Sequence, residues 1–340
     1  GMDRLKRRCE GYGGLWRGND RRVDIIRQAL NAREFFLKGR QYILNEGKVV
    51  IVDEFTGRPM PQRSWRQGLH QAIEAKEGLS PSDPTETIAR LSFQRFFRLY
   101  TRLSGMTGTA WEAADEFWRV YKLPVIRIPT NRPCVRQQWP DRVFRGEEEK
   151  YAAIAEEVER VHRAGRPVLI GTRNVAASER VADLLAARGL SFHLLNASHL
   201  VEEAQIVAQA GQPGQITVST NMAGRGTDIR LGKGVAESGG LHVVATERHE
   251  SGRVDRQLFG RSGRQGDPGT AQAFVSMEDE LLRRHLPRFV FNRAKPWAAG
   301  PLFSLAQAKA QRQAFKQRRE VLRMDDWIEE ALSFAGPPLA

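Results

Sequence analysis

The chain is poor in several residues and patterns, and each shortage excludes something. Cysteine is nearly absent. Only Cys9 and Cys134 occur in 340 residues, with no second thiol at metal-ligand spacing, so neither a disulfide framework nor a thiolate zinc site is supported. No run approaches the roughly eighteen uncharged apolar residues that a membrane helix needs. The start, Gly1-Met2-Asp3-Arg4, is too polar for a signal-peptide core. The expectation is a soluble, cytoplasmic protein. Internal repeats and low-complexity tracts are also missing, which removes solenoids and disordered tails.

What is present is enough to fold. Hydrophobic residues make up 41% and charged residues 27%, a balance that can bury one large core or two modest ones. The formal net charge is +13, carried by 43 arginines and only ten lysines. It predicts attraction to polyanions, whether nucleic acid, acidic lipid head groups or an acidic partner, without choosing among them.

The apolar positions Val23, Ile26, Leu30 and Phe36-Leu37 predict a helix over 20–39 ended by Gly39. Gln41–Leu44 and Val49–Val52 around Asn45-Glu46-Gly47 read as a hairpin. Helices are expected over 65–76 and 85–103. From Pro124 short apolar runs alternate with amphipathic stretches, the mark of βαβ units and a parallel sheet. Strands are expected at 125–128, 167–170, 191–195, 215–219, 241–245 and 271–275. The helices are 147–163, 176–188, 201–210 and 253–260. Residues 305–332 read as a further helix. Between Arg283 and Arg323 eleven basic residues face one acidic residue, Glu320.

Two stretches carry chemistry. Thr220-Asn221-Met222-Ala223-Gly224-Arg225-Gly226-Thr227-Asp228 follows an expected strand. Gly224 and Gly226 would let backbone amides approach a ligand, and Asp228 can accept from a ribose hydroxyl; a tight turn capped by Asp228 is the alternative. In Gln257 to Asp267, Arg261 and Arg264 are three apart, on one helical face if the helix continues, placed to clamp a phosphate or to form a solvated face. His242, Glu247 and His249 sit close in sequence but at no metal spacing. Trp65, Trp111, Trp118, Trp139 and the stripe Phe93, Phe96, Phe97, Tyr100 recur largely at helical intervals and read as core rather than as a stacking platform.

The order and spacing of the two stretches match motifs V and VI of superfamily 2 helicase-like motors. Beyond them, Val49–Glu54 with Thr56-Gly57-Arg58, Gly68–Gly78, Gly105-Met106-Thr107-Gly108-Thr109-Ala110, Pro129-Thr130-Asn131-Arg132-Pro133 and Thr246–Ser251 stand in an order that resembles the SecA family of ATP-driven preprotein export motors. The resemblance implies an α/β fold, with a RecA-like parallel sheet, a partial N-terminal α+β segment and a C-terminal helical segment. Residues 1–14 would be tag or frayed terminus, 15–60 the end of a preprotein cross-linking domain and 61–128 the end of a first nucleotide-binding lobe. Residues 129–280 would be the whole second lobe and 281–340 the start of a helical scaffold. It also implies ATP or ADP as ligand, contacted by Gly224, Arg225, Gly226, Asp228 and Gln257. Arg261 and Arg264 would be arginine-finger residues acting with a complementary lobe, and Thr107, Gly108 and Thr109 a motif coupling nucleotide state to lobe closure. Gly252 and Phe259 stand where the family usually has arginine.

Such a motor needs Gly-x-x-x-x-Gly-Lys-Ser/Thr to cradle phosphates and hold magnesium. The only Gly-Lys pairs are Gly47-Lys48 and Gly232-Lys233, and neither fits the pattern. Asp53-Glu54, after an apolar strand, imitates a magnesium-binding pair, but the resemblance places it in the cross-linking hairpin. The expectation is half a nucleotide cleft that binds ATP weakly, holds no magnesium alone and does not hydrolyse ATP alone. The implied partners are a SecY-type channel, preproteins, a chain carrying the missing lobe and an acidic lipid surface, with peripheral attachment to the membrane. A nucleic-acid-binding helicase-like lobe and a non-catalytic binding module are the competing readings. Without a covering sheet, the apolar side of 85–103 would be exposed.

Overall fold

The computed structural model describes residues 4, 7, 18–53, 59–83, 91–195, 203–220, 227–292 and 299–332. The chain forms two compact units, a smaller one built mainly from residues 1–88 and a larger one made of nearly all the rest.

In the smaller unit, helix α1 (Asn19–Glu34) precedes an antiparallel hairpin of β1 (Tyr42–Asn45) and β2 (Lys48–Val52), and β3 (Pro59–Met60) adds antiparallel to β2. The hairpin turns on Glu46 and Gly47, both left-handed with φ of 50° and 73°, the two-residue connection that matches strand twist. Helix α1 stops five residues before Gly39. Lys76 Nζ takes the carbonyl oxygens of Ala32 and Phe36 at 3.1 and 2.6 Å, a cation closing a helix C-terminus. The expected helix over 65–76 begins only at Leu69 (α2, Leu69–Lys76), because Gln67 and Gly68 have φ of 56° and 78°, which no right-handed helix accommodates. Trp65 instead packs its edge on Phe36 and Tyr42 over a small core of Ala32, Tyr42, Val49 and Ile73.

The larger unit opens with α3 (Phe93–Arg98), whose N-cap Ser92 accepts from Arg95 N at 3.1 Å. Of the expected helix over 85–103, the described residues hold Phe93–Arg98, and residues 84–90 lie outside the described ones. Phe93, Phe96, Phe97 and Tyr100 are exposed, the last three in ring contact with one another, so the core reading of this stripe is corrected, as it is for Trp111 and Trp118. A 3-10 turn (Trp111–Ala113) leads into α4 (Ala114–Tyr121). Residues 125–128 form no strand. Ile126 and Ile128 are 78% and 82% exposed, and an apolar run becomes a strand only with a neighbour to pair with.

The edge of the sheet is made further along, by β4 (Gln137–Gln138) and β5 (Arg142–Phe144), both parallel to β10 (Gly269–Ser276). Inward lie β9 (Leu241–Ala245), β6 (Val168–Thr172), β8 (Ile216–Thr220) and β7 (His193–Leu195), in the order β4-β10-β9-β6-β8-β7 and parallel throughout. Alternate residues feed two cores. Val168, Ile170, Ile216, Val218, Val244 and Phe274 face α5 (Glu147–Arg163) and α6 (Val175–Ala187). Leu169, Val243, Ala271, Ala273 and Val275 share the second core with Leu258 and Phe259 of α8 (Gly252–Phe259), Leu281 and Leu282 of α9 (Glu280–His285), and Phe303, Ala306 and Ala310 of α11 (Ala299–Leu332). The described residues also include α7 (Glu203–Gln209) and α10 (Arg288–Asn292). A parallel sheet buried on both faces requires this double cover, and the expected α/β class, a parallel sheet with flanking helices, is present together with a helical C-terminal segment. No helix among the described residues is long and apolar enough to cross a membrane.

Candidate functional site

The site is built around α8 and the turn that follows it. Gly171 in β6 lets the helix lie close to the sheet: a Cβ there would come 2.4 Å from Leu258 Cδ2. Beyond the helix, Ser262 is buried and donates from Oγ to Leu241 O at 2.8 Å, pinning the turn to the start of β9. Arg261 Nη1 donates to Thr227 O at 3.1 Å, and Arg264 Nη1 meets Asp228 Oδ1 at 2.7 Å. The two stretches singled out in the sequence are therefore in contact. Gly224, Arg225 and Gly226 lie outside the described residues.

The third stretch joins through Gln257, whose Nε2 donates to Thr109 Oγ1 at 3.2 Å. Thr109 N in turn donates to Thr107 Oγ1 at 3.3 Å, while Gly108 has open space beside its Cα. Arg256 pairs with Glu112 one turn further on. Two guanidiniums and a carboxylate thus meet at the turn after α8, and an amide and a hydroxyl meet on the helix itself. That donor set fits a nucleotide: the guanidiniums match phosphate oxygens and the carboxylate a sugar hydroxyl. Among the described residues no group of three or more His, Cys, Asp or Glu could hold a metal ion.

At the other end of α8, Asp255 is buried and fully engaged. Its Oδ1 accepts from His249 N at 3.0 Å and lies 2.6 Å from His249 Nδ1, and its Oδ2 accepts from Gln307 Nε2 at 2.7 Å. Gln307 Nε2 also reaches His249 O at 2.8 Å, so the long helix α11 grips the loop that starts α8. Arg248 forks onto Asp141 at 2.9 and 2.6 Å. Further along α11, Arg318 forks onto Glu116 of α4 at 2.6 and 2.8 Å. Sequence reasoning missed Asp141, Asp255, Gln307 and Arg318. The long-range pairs among them span 52 to 202 positions, and no local spacing signals such a contact.

The carboxyl ends of β6 and β9 form the crevice where α/β sheets commonly bind ligands. Beyond β6, Arg173 lies between Glu247, Glu250 and Glu280 at 3.4, 3.4 and 3.2 Å. Burial pushes the Glu247 carboxyl above its ordinary range, against the pull of Arg173. His242 belongs to neither cluster. It is buried between Thr270 and Glu157 under Trp139, and burial lowers its pKa to about 4.

Comparison with known proteins gives the family. Residues 4–74 match the family described as the SecA preprotein cross-linking domain, and residues 133–236 and 231–292 match the SecA P-loop domain. The chain belongs to the SecA family. The protein translocase subunit SecA 2 of Chlorobium chlorochromatii is 48% identical over 333 residues, covering 95% of this chain and 50% of the relative. The SecA 2 of Bordetella avium is 48% identical over 350 residues, covering 98% and 52%. This SecA-family chain therefore spans about half the length of these relatives. The solved DEAD-box protein SrmB of E. coli, bound to regulator of ribonuclease activity A, shows 21% identity and a TM-score of 0.36, over 46% of this chain and 87% of that chain.

Proposed function

We propose that the chain supplies the second-lobe half of the ATP cleft of a SecA-type protein translocase. The observation that carries this reading is the meeting of Arg264 with Asp228 and of Arg261 with Thr227, beside the Gln257–Thr109 bond. Bound ATP supplies a terminal phosphoryl group whose charge must be neutralised as it is transferred. Arg261 and Arg264 do that neutralising from this side, Asp228 and Gln257 orient the nucleotide, and the Thr107–Thr109 segment senses its presence through Gln257. Gly224, Arg225 and Gly226 belong to the same loop by the resemblance.

The 340 residues hold no Gly-x-x-x-x-Gly-Lys-Ser/Thr run to cradle the phosphates from the opposite side. The chain alone then binds ATP or ADP weakly, does not hold magnesium and does not turn ATP over. Residues 61–128 belong, in this reading, to a first lobe completed by sequence like that in the other half of the relatives. The translocation partners are a SecY-type channel and preproteins, and the basic segment 283–323 suits attachment to an acidic lipid surface, where a basic face gains roughly 1 kcal/mol per cation.

ATP turnover by the purified chain, with and without a polypeptide carrying the other half of a SecA 2 relative, tests the reading. The expected result is no turnover alone, turnover on mixing, and its loss with Arg261→Ala. Turnover by the chain alone would mean a phosphate cradle exists within it. Silence in both mixtures would favour a binding module, and turnover stimulated only by nucleic acid a helicase-like lobe.

A further inference from the structure

The turn that carries Arg261 and Arg264 is covered by a segment from over 120 residues earlier in the chain. Three of its residues, Gly263, Gln265 and Gly266, have φ of 67°, 53° and 83°. A turn so rich in left-handed residues directs carbonyl groups outward, where they need donors from elsewhere. The donors come from one short stretch. Arg136 Nη1 donates to Ser262 O at 3.1 Å, Arg132 Nη1 to Gln265 O at 3.3 Å, and the Cys134 thiol approaches Gly263 O at 3.8 Å. The arginine stems pack against the turn's glycines: a Cβ on Gly263 would lie 2.5 Å from Arg136 Cβ, and one on Gly266 would lie 3.2 Å from Arg132 Cδ. The stretch is itself anchored, since Gln137 and Gln138 continue into the sheet beside Thr270 and Ala271 of β10.

Resting on the nucleotide-cleft reading above, we propose that Arg132 and Arg136 are positioning residues for Arg261 and Arg264. Their guanidiniums brace the outer side of the 262–266 turn while Ser262 braces the inner side. The two phosphate-facing arginines leave the turn in a fixed direction only while both braces hold. Because Arg132 and Arg136 lie on the strap leading out of residues 123–131 into the sheet, a displacement of that strap redirects the arginines. Neither bracing residue touches the nucleotide. Each acts through backbone carbonyls by charge-assisted hydrogen bonds, which a lysine at the same position can partly replace.

The test compares Arg132→Ala/Arg136→Ala with Arg132→Lys/Arg136→Lys in the 340-residue chain. The readouts are amide hydrogen exchange of the 257–268 peptide, melting temperature, and binding of fluorescent ATP and ADP. The alanine pair is expected to raise exchange in the turn about tenfold and to weaken ATP about fivefold relative to ADP, with the lysine pair restoring most of both. A lower melting temperature with an unchanged ATP-to-ADP ratio would mean a merely structural contact and overturn the proposal. If the unsubstituted chain binds neither nucleotide, the cleft reading fails, and the exchange arm decides the brace by itself. Unchanged exchange then overturns it, and raised exchange restored by lysine supports it. Should the alanine pair not fold, the single Arg132→Ala, at an exposed side chain, carries the same readouts.

Discussion

Arg264 Nη1 stands 2.7 Å from Asp228 Oδ1, joining two stretches separated by 36 positions. Both side chains are open to solvent, 36% and 52% exposed. A pair of this kind contributes about 1 kcal/mol or less, because water and salt screen it and two long side chains are held still to make it. It is thus weak enough to open when a phosphate competes for the guanidinium. Asp228→Ala should lower the unfolding free energy by no more than about 1 kcal/mol in a urea titration at 0.15 M salt. A loss of several kcal/mol would mark the pair as a structural strut.

His242 gives the larger unit a dependence on acid. Its folded pKa of about 4 lies below the ordinary 6.5, burial being the main cause. The unfolded chain therefore binds the proton first. The stabilisation is fully present above pH 6.5 and is lost as pH falls toward 4, up to about 3 kcal/mol for this one group. His242→Gln, which keeps a hydrogen-bonding atom near Thr270 Oγ1, should remove that slope between pH 6.5 and 4. An unchanged slope in the variant would assign the acid sensitivity elsewhere.

Much of the sheet was legible in the sequence because each strand is short, apolar and followed by a stretch of helical period. Ile216–Thr220 and Leu241–Ala245 fall within a residue of their expected places. Val125–Ile128 has the same composition but no strand to pair with, and composition does not encode a neighbour. The aromatic stripe misled for a related reason: period shows that Phe93, Phe96 and Phe97 share a face, not what lies against it. At the site, Arg261, Arg264 and Asp228 could be singled out from local spacing. Gln307 and Arg136 could not, since an exposed-looking glutamine or arginine acquires its role only from carbonyls and carboxylates far away in sequence.

Gly171 tests how closely α8 must approach the sheet. Alanine there would place a methyl group 2.4 Å from Leu258 Cδ2 and within 3.0 Å of its Cγ. Overpacking of this kind costs about 1–3 kcal/mol and would lift the helix that bears Gln257. Gly171→Ala should destabilise by that amount, and adding Leu258→Ala should cost less than the sum of the single changes. Strict additivity would show that the two side chains do not compete for one space.

Lys150 and Asp279 form a buried pair at 2.6 Å, their side chains 3% and 1% exposed. Ser276 also donates to Asp279 from N at 3.0 Å and from Oγ at 2.9 Å, so the carboxylate is satisfied only while all three donors remain. Burial raises the Asp279 pKa above 3.8 despite Lys150. Lys150→Met leaves that charge without its counterion and should cost about 3–5 kcal/mol near neutral pH. The loss should shrink on acidification, as protonation removes the stranded charge. A loss that does not depend on pH would point to packing alone.

Gln307 ties the long helix to the loop that starts α8, since its one amide nitrogen serves both Asp255 Oδ2 and His249 O. Leucine preserves much of the volume and removes both donations, leaving a buried carboxylate oxygen and a carbonyl short of a partner. A change of that kind costs about 1–3 kcal/mol. Gln311, reaching Ser251 Oγ at a longer 3.3 Å, should matter less. The decisive measurement is a double-mutant cycle of Gln307→Leu with Asp255→Asn in urea unfolding. If the amide acts through Asp255, the two losses share one contact and the double variant should fall short of additivity by about 0.5 kcal/mol or more. Additive losses would mean that α11 is held by its apolar face, Phe303, Ala306 and Ala310, and that the glutamine transmits nothing to the arginine-bearing helix.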